Sequence, residues 1–197
     1  MTELALLRHG PTKWAEQGRL QGQRDEPLSE QGRAAVLDWK LPGWVSTRQW
    51  YTSPLLRAYE TAHLLGGQNI ITEHRLIEMD WALWEGESLV ELRQRNRSAM
   101  AANEARGLDF RPEGGESPKE VLDRVQPWLI EVGASSKDAF AVTHKGVIRT
   151  IMAKATGWDM TGKPPVKIKW GTLHIFEVNP EGSLRMKEAI QTAVTSS

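Results

Sequence analysis

Arg8-His9, Arg57 and His144-Lys145 are the residues of this chain whose types and placement suit chemistry. Arginine forks match the spacing of phosphate oxygens, and helix N-termini add further N–H donors. An imidazole beside two guanidiniums loses proton affinity through like-charge repulsion, which keeps His9 neutral. A neutral imidazole is a competent nucleophile toward phosphorus. The three non-bridging oxygens would then be held by Arg8, Arg57 and His144, stabilising charge during transfer. The leaving oxygen needs a proton from an acid on the far side. Glu78 is the candidate, with Asp80 and Glu85 close behind, and the residues alone do not rank the three. His63, His74 and His174 keep a structural reading, because they fall within element interiors or a polar loop and no metal-ligand spacing links them.

The elements around these residues explain why they would converge. Leu4 to Leu7 is an apolar run that stops at Arg8-His9-Gly10, as a buried strand delivering polar groups from its C-terminal end. A polar loop follows from Pro11 to Pro27, and Ser29 caps a helix over Glu30 to Trp39. Gln49 to Thr52 reads as a second strand. Ser53 as a cap and Pro54 at the first helical position place Arg57 in the first turn of a helix reaching Leu65. Ile70 to Thr72 is a third short strand, and Ser88 to Arg106 has the composition of one long helix. Ser117-Pro118-Lys119-Glu120 combines a cap, an N1 proline and a capping-box glutamate, opening a helix to Val132. Ala139 to Thr143 is a strand ending at His144, with a helix over Val147 to Thr156. Thr172 to Val178 and Leu184 to Ala189 pair around a turn at Asn179 to Gly182, and Lys167 and Lys169 read as the solvated face of a strand. Strands alternating with helices predict an α/β sheet covered on both faces, with ligands gathered at the carboxyl ends of the strands. Three of those ends carry the basic groups.

Composition narrows the function further. The chain has 197 residues, 40% hydrophobic and 25% charged, which suits one domain with an ordinary core. Lys plus Arg equals Asp plus Glu at 25 each, so a cationic site must come from local clustering. That balance predicts neither a nucleic-acid nor a membrane partner. With no cysteine, disulfides, thiolate metal sites and cysteine nucleophiles are excluded. The N-terminal apolar run is too short for a signal peptide, so a cytoplasmic protein is expected. Gly157 to Lys163 imitates a nucleotide-binding P-loop, but Pro164 replaces the metal-binding hydroxyl and the segment reads as a loop. Of the nine tryptophans, Trp14, Trp81 and Trp84 fall in segments near the expected pocket.

The order of motifs carries a resemblance. Leu7-Arg8-His9-Gly10-Pro11-Thr12 followed by Arg19-Leu20-Gln21-Gly22, then Ser53-Pro54-Leu55-Leu56-Arg57-Ala58 with Thr61-Ala62, resembles the opening of the histidine phosphatase superfamily, the phosphoglycerate mutase-like group. Leu76-Ile77-Glu78 leading to Trp84-Glu85-Gly86, then Gly114-Gly115-Glu116-Ser117 and Val142-Thr143-His144, completes the set. The resemblance implies one domain over residues 1–197, a three-layer α/β/α sandwich with a mostly parallel sheet, and a phosphohistidine on His9. It implies a clamp of Arg8, Arg57 and His144, with Glu78 as proton donor and no metal or cofactor. Thr12, Gln21, Gly22 and Lys145 are the expected substrate contacts. The segment from Glu78 to Glu116 is short for a mutase of this family, which favours hydrolysis of a small phosphorylated metabolite over mutase chemistry or mere phospho-ligand binding. Two positions depart from the pattern. Ala15 stands where relatives usually carry Asn, so Thr12, Gln21 or a water must supply the lost donor. Lys145 stands where a small residue is usual, and either adds charge for a second anionic group or extends into solvent.

Overall fold

A computed structural model describes residues 1–192 of the chain. Its centre is a six-stranded sheet in the order β3-β2-β4-β1-β5-β6. The strands are β1 (Thr2–Arg8), β2 (Gln49–Thr52), β3 (Ile71–Thr72), β4 (Ala139–Thr143), β5 (Thr172–Val178) and β6 (Leu184–Gln191). β1, β2, β3 and β4 pair in parallel, and β5 alone runs against its neighbours. Leu4 to Leu7 and all of β4 are buried, the uninterrupted apolar signature of strands covered on both faces.

Seven α-helices are present among the described residues: α1 (Lys13–Glu16), α2 (Glu30–Asp38), α3 (Leu56–Leu64), α4 (Leu89–Arg95), α5 (Arg97–Glu104), α6 (Pro118–Ala134) and α7 (Lys145–Thr156). Side chains alternate across β1, so Leu4 and Leu6 meet Trp128 and Leu129 of α6 and Ile148 and Ile151 of α7 on one face. Ala5 and Leu7 meet Val36 of α2 and Ala58 and Ala62 of α3 on the other. The three-layer architecture therefore follows from a one-residue alternation. Truncating Ile148 to Ala would cost roughly 2–5 kcal/mol by lost burial and the cavity left behind.

α6 opens with the expected capping box, Ser117 and Glu120 bonding reciprocally behind Pro118 at the helix start. Ser29 caps α2 by accepting from the Gly32 N–H. Four local expectations are corrected. α3 starts at Leu56 with Leu55 at its cap position and no side-chain cap, because the Ser53 hydroxyl is drawn to a tertiary partner. Arg57 still lies in the first turn. The long helix predicted over Ser88–Arg106 is two helices, broken where Asn96 leaves the helical region at φ −144° and ψ 67°. Lys167 and Lys169 are exposed as expected but lie in an irregular segment before β5, with Ile168 buried between them. The loop predicted over Pro11–Pro27 also contains α1, capped by Thr12.

The parallel register sets the site. Arg8 pairs with Thr143 and Thr52 with Val142. The ladder runs one residue further, the His9 N–H donating to the Thr143 carbonyl at 2.9 Å and the Ser53 N–H to the Val142 carbonyl at 3.0 Å. His9, His144 and Ser53 thereby share one end of the sheet.

Candidate active site

His9 is buried, and its Nδ1 lies 2.7 Å from the Gly10 carbonyl oxygen. A carbonyl only accepts, so Nδ1 carries the proton and Nε2 holds the lone pair. Burial, then the charges of Arg57 and Arg8, hold the imidazole well below the ordinary histidine pKa. The His144 ring stands 5.1 Å away, tilted by 55°. Its Nε2 lies 2.7 Å from Ser53 Oγ. That oxygen already accepts from the Leu55 N–H at 3.3 Å. Among the described residues His144 Nε2 is the acceptor left for the Ser53 hydroxyl, which assigns the proton of His144 to Nδ1, an atom without a protein partner. Burial, then Arg57 and His9, keep His144 neutral too.

Arg57 is fully buried and ties down the loop after α1. One terminal nitrogen donates to the Arg24 carbonyl and the other to the Gly22 carbonyl, each at 2.7 Å. Five N–H groups minus two leaves three, including the unpartnered Nε. The Arg8 guanidinium lies over the Trp170 ring, 4.8 Å from its centroid, and its Nε is likewise unpartnered. Burial brings its pKa down to about 10, with Glu78 opposing and Arg57 adding to the shift. Both remain cations at neutral pH.

Glu78 is buried, with Oε1 accepting from the Met79 N–H at 2.8 Å and Oε2 from the Gly146 N–H at 3.3 Å. Burial raises its pKa, and this outweighs both N–H donors and the charges of Arg57 and Arg8. Gly146 leaves room for this carboxyl, since a Cβ at that position would lie 2.3 Å from Glu78 Oε1 and displace it. Sequence reasoning missed how this acid is positioned. Arg124 of α6 donates to the carbonyls of Arg75, Ile77 and Glu78 while pairing with Glu116 at 2.7 Å. Glu116 thus anchors the acid-bearing segment besides preceding a helix cap. Of the two alternative acids, Asp80 accepts from the Ala82 N–H and Glu85 from the Gln23 N–H, both at 2.7 Å, so each serves loop geometry.

A cavity of about 560 Å³ opens at this end of the sheet, lined by Arg8, His9, Gln21, Gly22, Glu78 and Lys145 among the expected residues. Arg57, His144 and Thr12 are fully buried and stand outside that lining. Thr12 caps α1 and donates to Gln21 Oε1 at 2.6 Å, so its hydroxyl is committed. Gly22 sits at φ +53°, where its carbonyl meets Arg57 and a Cβ would overlap the Glu85 carboxylate. Trp81 forms part of the wall with Phe110, whereas Trp14 packs over Gly86 and Trp84 stacks behind Trp81. Arg149, which no motif marked, also lines the cavity. Its signal was its place four residues after Lys145, on the same helical face. No helix among the described residues is long and apolar enough to cross a membrane.

Comparison with known proteins agrees with this geometry. The profile of the histidine phosphatase superfamily (branch 1) matches residues 4–189. Phosphoserine phosphatase 1 of Hydrogenobacter thermophilus is 31% identical over 172 residues, spanning 82% of this chain and 79% of its own. A 2,3-bisphosphoglycerate-dependent phosphoglycerate mutase of Methylobacterium radiotolerans is 28% identical, spanning 97% and 96%. The solved structure of mycobacterial glucosyl-3-phosphoglycerate phosphatase with VO3 is similar at a TM-score of 0.81 and 25% identity, covering 98% of this chain and 100% of that one. With its motifs in order and its profile match running nearly end to end, this chain belongs to the histidine phosphatase superfamily, branch 1.

Proposed function

We propose that the protein is a phosphomonoesterase that transfers the phosphoryl group of a small phosphorylated metabolite to Nε2 of His9 and then to water. The observation that carries this reading is the 2.7 Å contact from His9 Nδ1 to the Gly10 carbonyl, which fixes the tautomer and leaves Nε2 as the free base in the cavity. In the first step the Nε2 lone pair attacks phosphorus, the P–O bond to the leaving group breaks, and Glu78 gives its proton to the departing oxygen. Arg8, the remaining donors of Arg57 and Nδ1–H of His144 hold the non-bridging oxygens. Gln21 Nε2, aimed by the hydrogen bond that Thr12 makes to the opposite atom of the amide, takes over the donor role lost at Ala15. In the second step water attacks phosphorus, its proton returns to Glu78, and the N–P bond pair returns to His9. The fixed guanidiniums supply the positive charge that a metal provides in other phosphoryl-transfer enzymes, so turnover is metal-independent.

The relative named as a mutase supports a second reading, in which the phosphoryl group returns to another hydroxyl of the bound product. The segment from Glu78 to Glu116 carries just two short α-helices, α4 and α5, and this short cap favours water as the acceptor. The experiment is a quench of the enzyme with radiolabelled substrate in the presence of chelator, beside His9→Ala. Acid-labile label on His9 and release of inorganic phosphate are expected. Interconversion of phosphoglycerates without release would select the mutase. Turnover by His9→Ala, or label on another residue, would overturn both.

A further inference from the structure

Lys145 and Arg149 project from one face of α7 into the cavity, beside Arg8. We infer that this pair binds a second oxyanion on the leaving-group side of the substrate, so that the preferred substrates are phosphate monoesters carrying a carboxylate or another phosphate. The inference rests on the phosphomonoesterase reading and deepens it.

The first support is uncompensated charge. Arg93, which also lines the cavity, is paired with Glu104 at 2.7 Å. Among the described residues no carboxylate forms an ion pair with Arg8, Lys145 or Arg149. Two cations one helical turn apart repel each other, and a half-buried arginine without a counterion is costly. A single phosphoryl group already has Arg8, Arg57 and His144 at its disposal. The excess charge therefore matches a ligand with more than one anionic group.

The second support is rigidity. The Arg149 guanidinium lies over the Trp158 ring, 4.8 Å from its centroid, and Trp158 is pinned by its indole N–H donating to the Thr161 carbonyl at 2.8 Å. That loop, Gly157 to Lys163, imitates a phosphate loop in sequence. In the structure it holds a cation in place and lines the cavity through Met160 and Gly162. Lys145 keeps an exposed side chain, yet desolvation first and then the charges of Arg8 and Arg149 lower its pKa, so both guanidiniums lie within electrostatic reach of its ammonium. Glu78 is the carboxyl that opposes this shift at Lys145, and its own oxygens are taken up by the Met79 and Gly146 N–H groups.

The test compares kcat/KM for 3-phosphoglycerate and propane-1,3-diol bisphosphate with that for glycerol 3-phosphate, which has a similar span without the second anion. Wild type is expected to favour at least one substrate carrying the second anionic group by roughly ten- to hundredfold, the yield of one or two charge-assisted hydrogen bonds. Which of the two wins identifies the oxyanion. In the Lys145→Met, Arg149→Met double variant the ratio should fall to within about threefold of unity, while Arg149→Lys should retain part of it. A structural role would lower all three substrates alike and leave the ratio unmoved, which would overturn the inference. So would a wild-type ratio near one. Calorimetric binding of the same compounds to His9→Ala separates the layers. A preference for the second anion there, lost on adding the double substitution, upholds the pair even if turnover fails.

Discussion

Glu78→Gln isolates proton donation from the rest of the machinery. In the variant, the amide oxygen goes on accepting from the Met79 N–H, while the amide nitrogen faces the Gly146 N–H across 3.3 Å, donor against donor. One hydrogen bond is lost, about 1 kcal/mol, so the fold survives. The chemistry loses its acid, worth roughly 10²- to 10⁴-fold for an alkyl ester, or about 3 to 5 kcal/mol of barrier. A nitrophenyl ester needs little help with its leaving oxygen, and its loss should be about tenfold or less. The pH profile gives an independent sign. Glu78 works protonated, so wild-type activity falls as pH rises through its elevated pKa, above the ordinary carboxylate range. His9 works neutral, so activity falls as pH drops through its depressed pKa. Glu78→Gln should keep the acid limb and lose the alkaline one. The assay is kcat/KM against pH for glycerol phosphate and nitrophenyl phosphate in parallel. Equal losses on the two esters, or an unchanged alkaline limb, would refute the assignment.

Ser53→Ala removes the hydrogen bond that fixes the tautomer of His144, and kcat should fall roughly five- to hundredfold, as for loss of about 1–3 kcal/mol, with the folded state intact by circular dichroism; a change within twofold would count against the clamp. Gly22→Ala puts a Cβ at φ +53° against Glu85 and should destabilise the protein by about 1–3 kcal/mol while raising KM, because Arg57 is anchored on that carbonyl. An unchanged Tm would show that the loop adapts freely. His174 is buried with both ring nitrogens unpartnered and a pKa of about 4 against an ordinary 6.5. The unfolded chain takes up that proton first as pH falls. Its stabilising contribution is therefore complete above pH 6.5 and lost progressively toward pH 4, to the order of 3 kcal/mol. Urea unfolding of His174→Leu should show a shallower decline across that window, and a slope equal to wild type would defeat the account.

The strand ends were legible because Leu4 to Leu7 in β1 and Ala139 to Val142 in β4 are unbroken apolar runs that stop at Arg-His and Thr-His. Such runs are dictated by burial on both faces, so their boundaries announce where polar side chains emerge. Ser53 was harder. Its local pattern is that of a helix cap, yet its hydroxyl pairs with a histidine 91 residues away, a contact that only the sheet register creates. The break at Asn96 was hidden by good helix formers on both sides. Arg124 was invisible as a site residue because its role comes from how α6 lies on the sheet, and Arg149, outside any motif, had only its helical spacing from Lys145 to mark it. His174 was read as structural from its place in a strand, whereas its burial without any hydrogen-bond partner is a tertiary fact that no spacing reveals.

The glycine at position 146 ties two distant parts of the chain together. Because its missing side chain is what makes room for the carboxyl opposite, the identity of that one residue reports on chemistry performed by another, 68 positions earlier. In this chain a methyl group at position 146 would stand 2.3 Å from one carboxyl oxygen, so the proton donor would have to turn from its present seat to admit it.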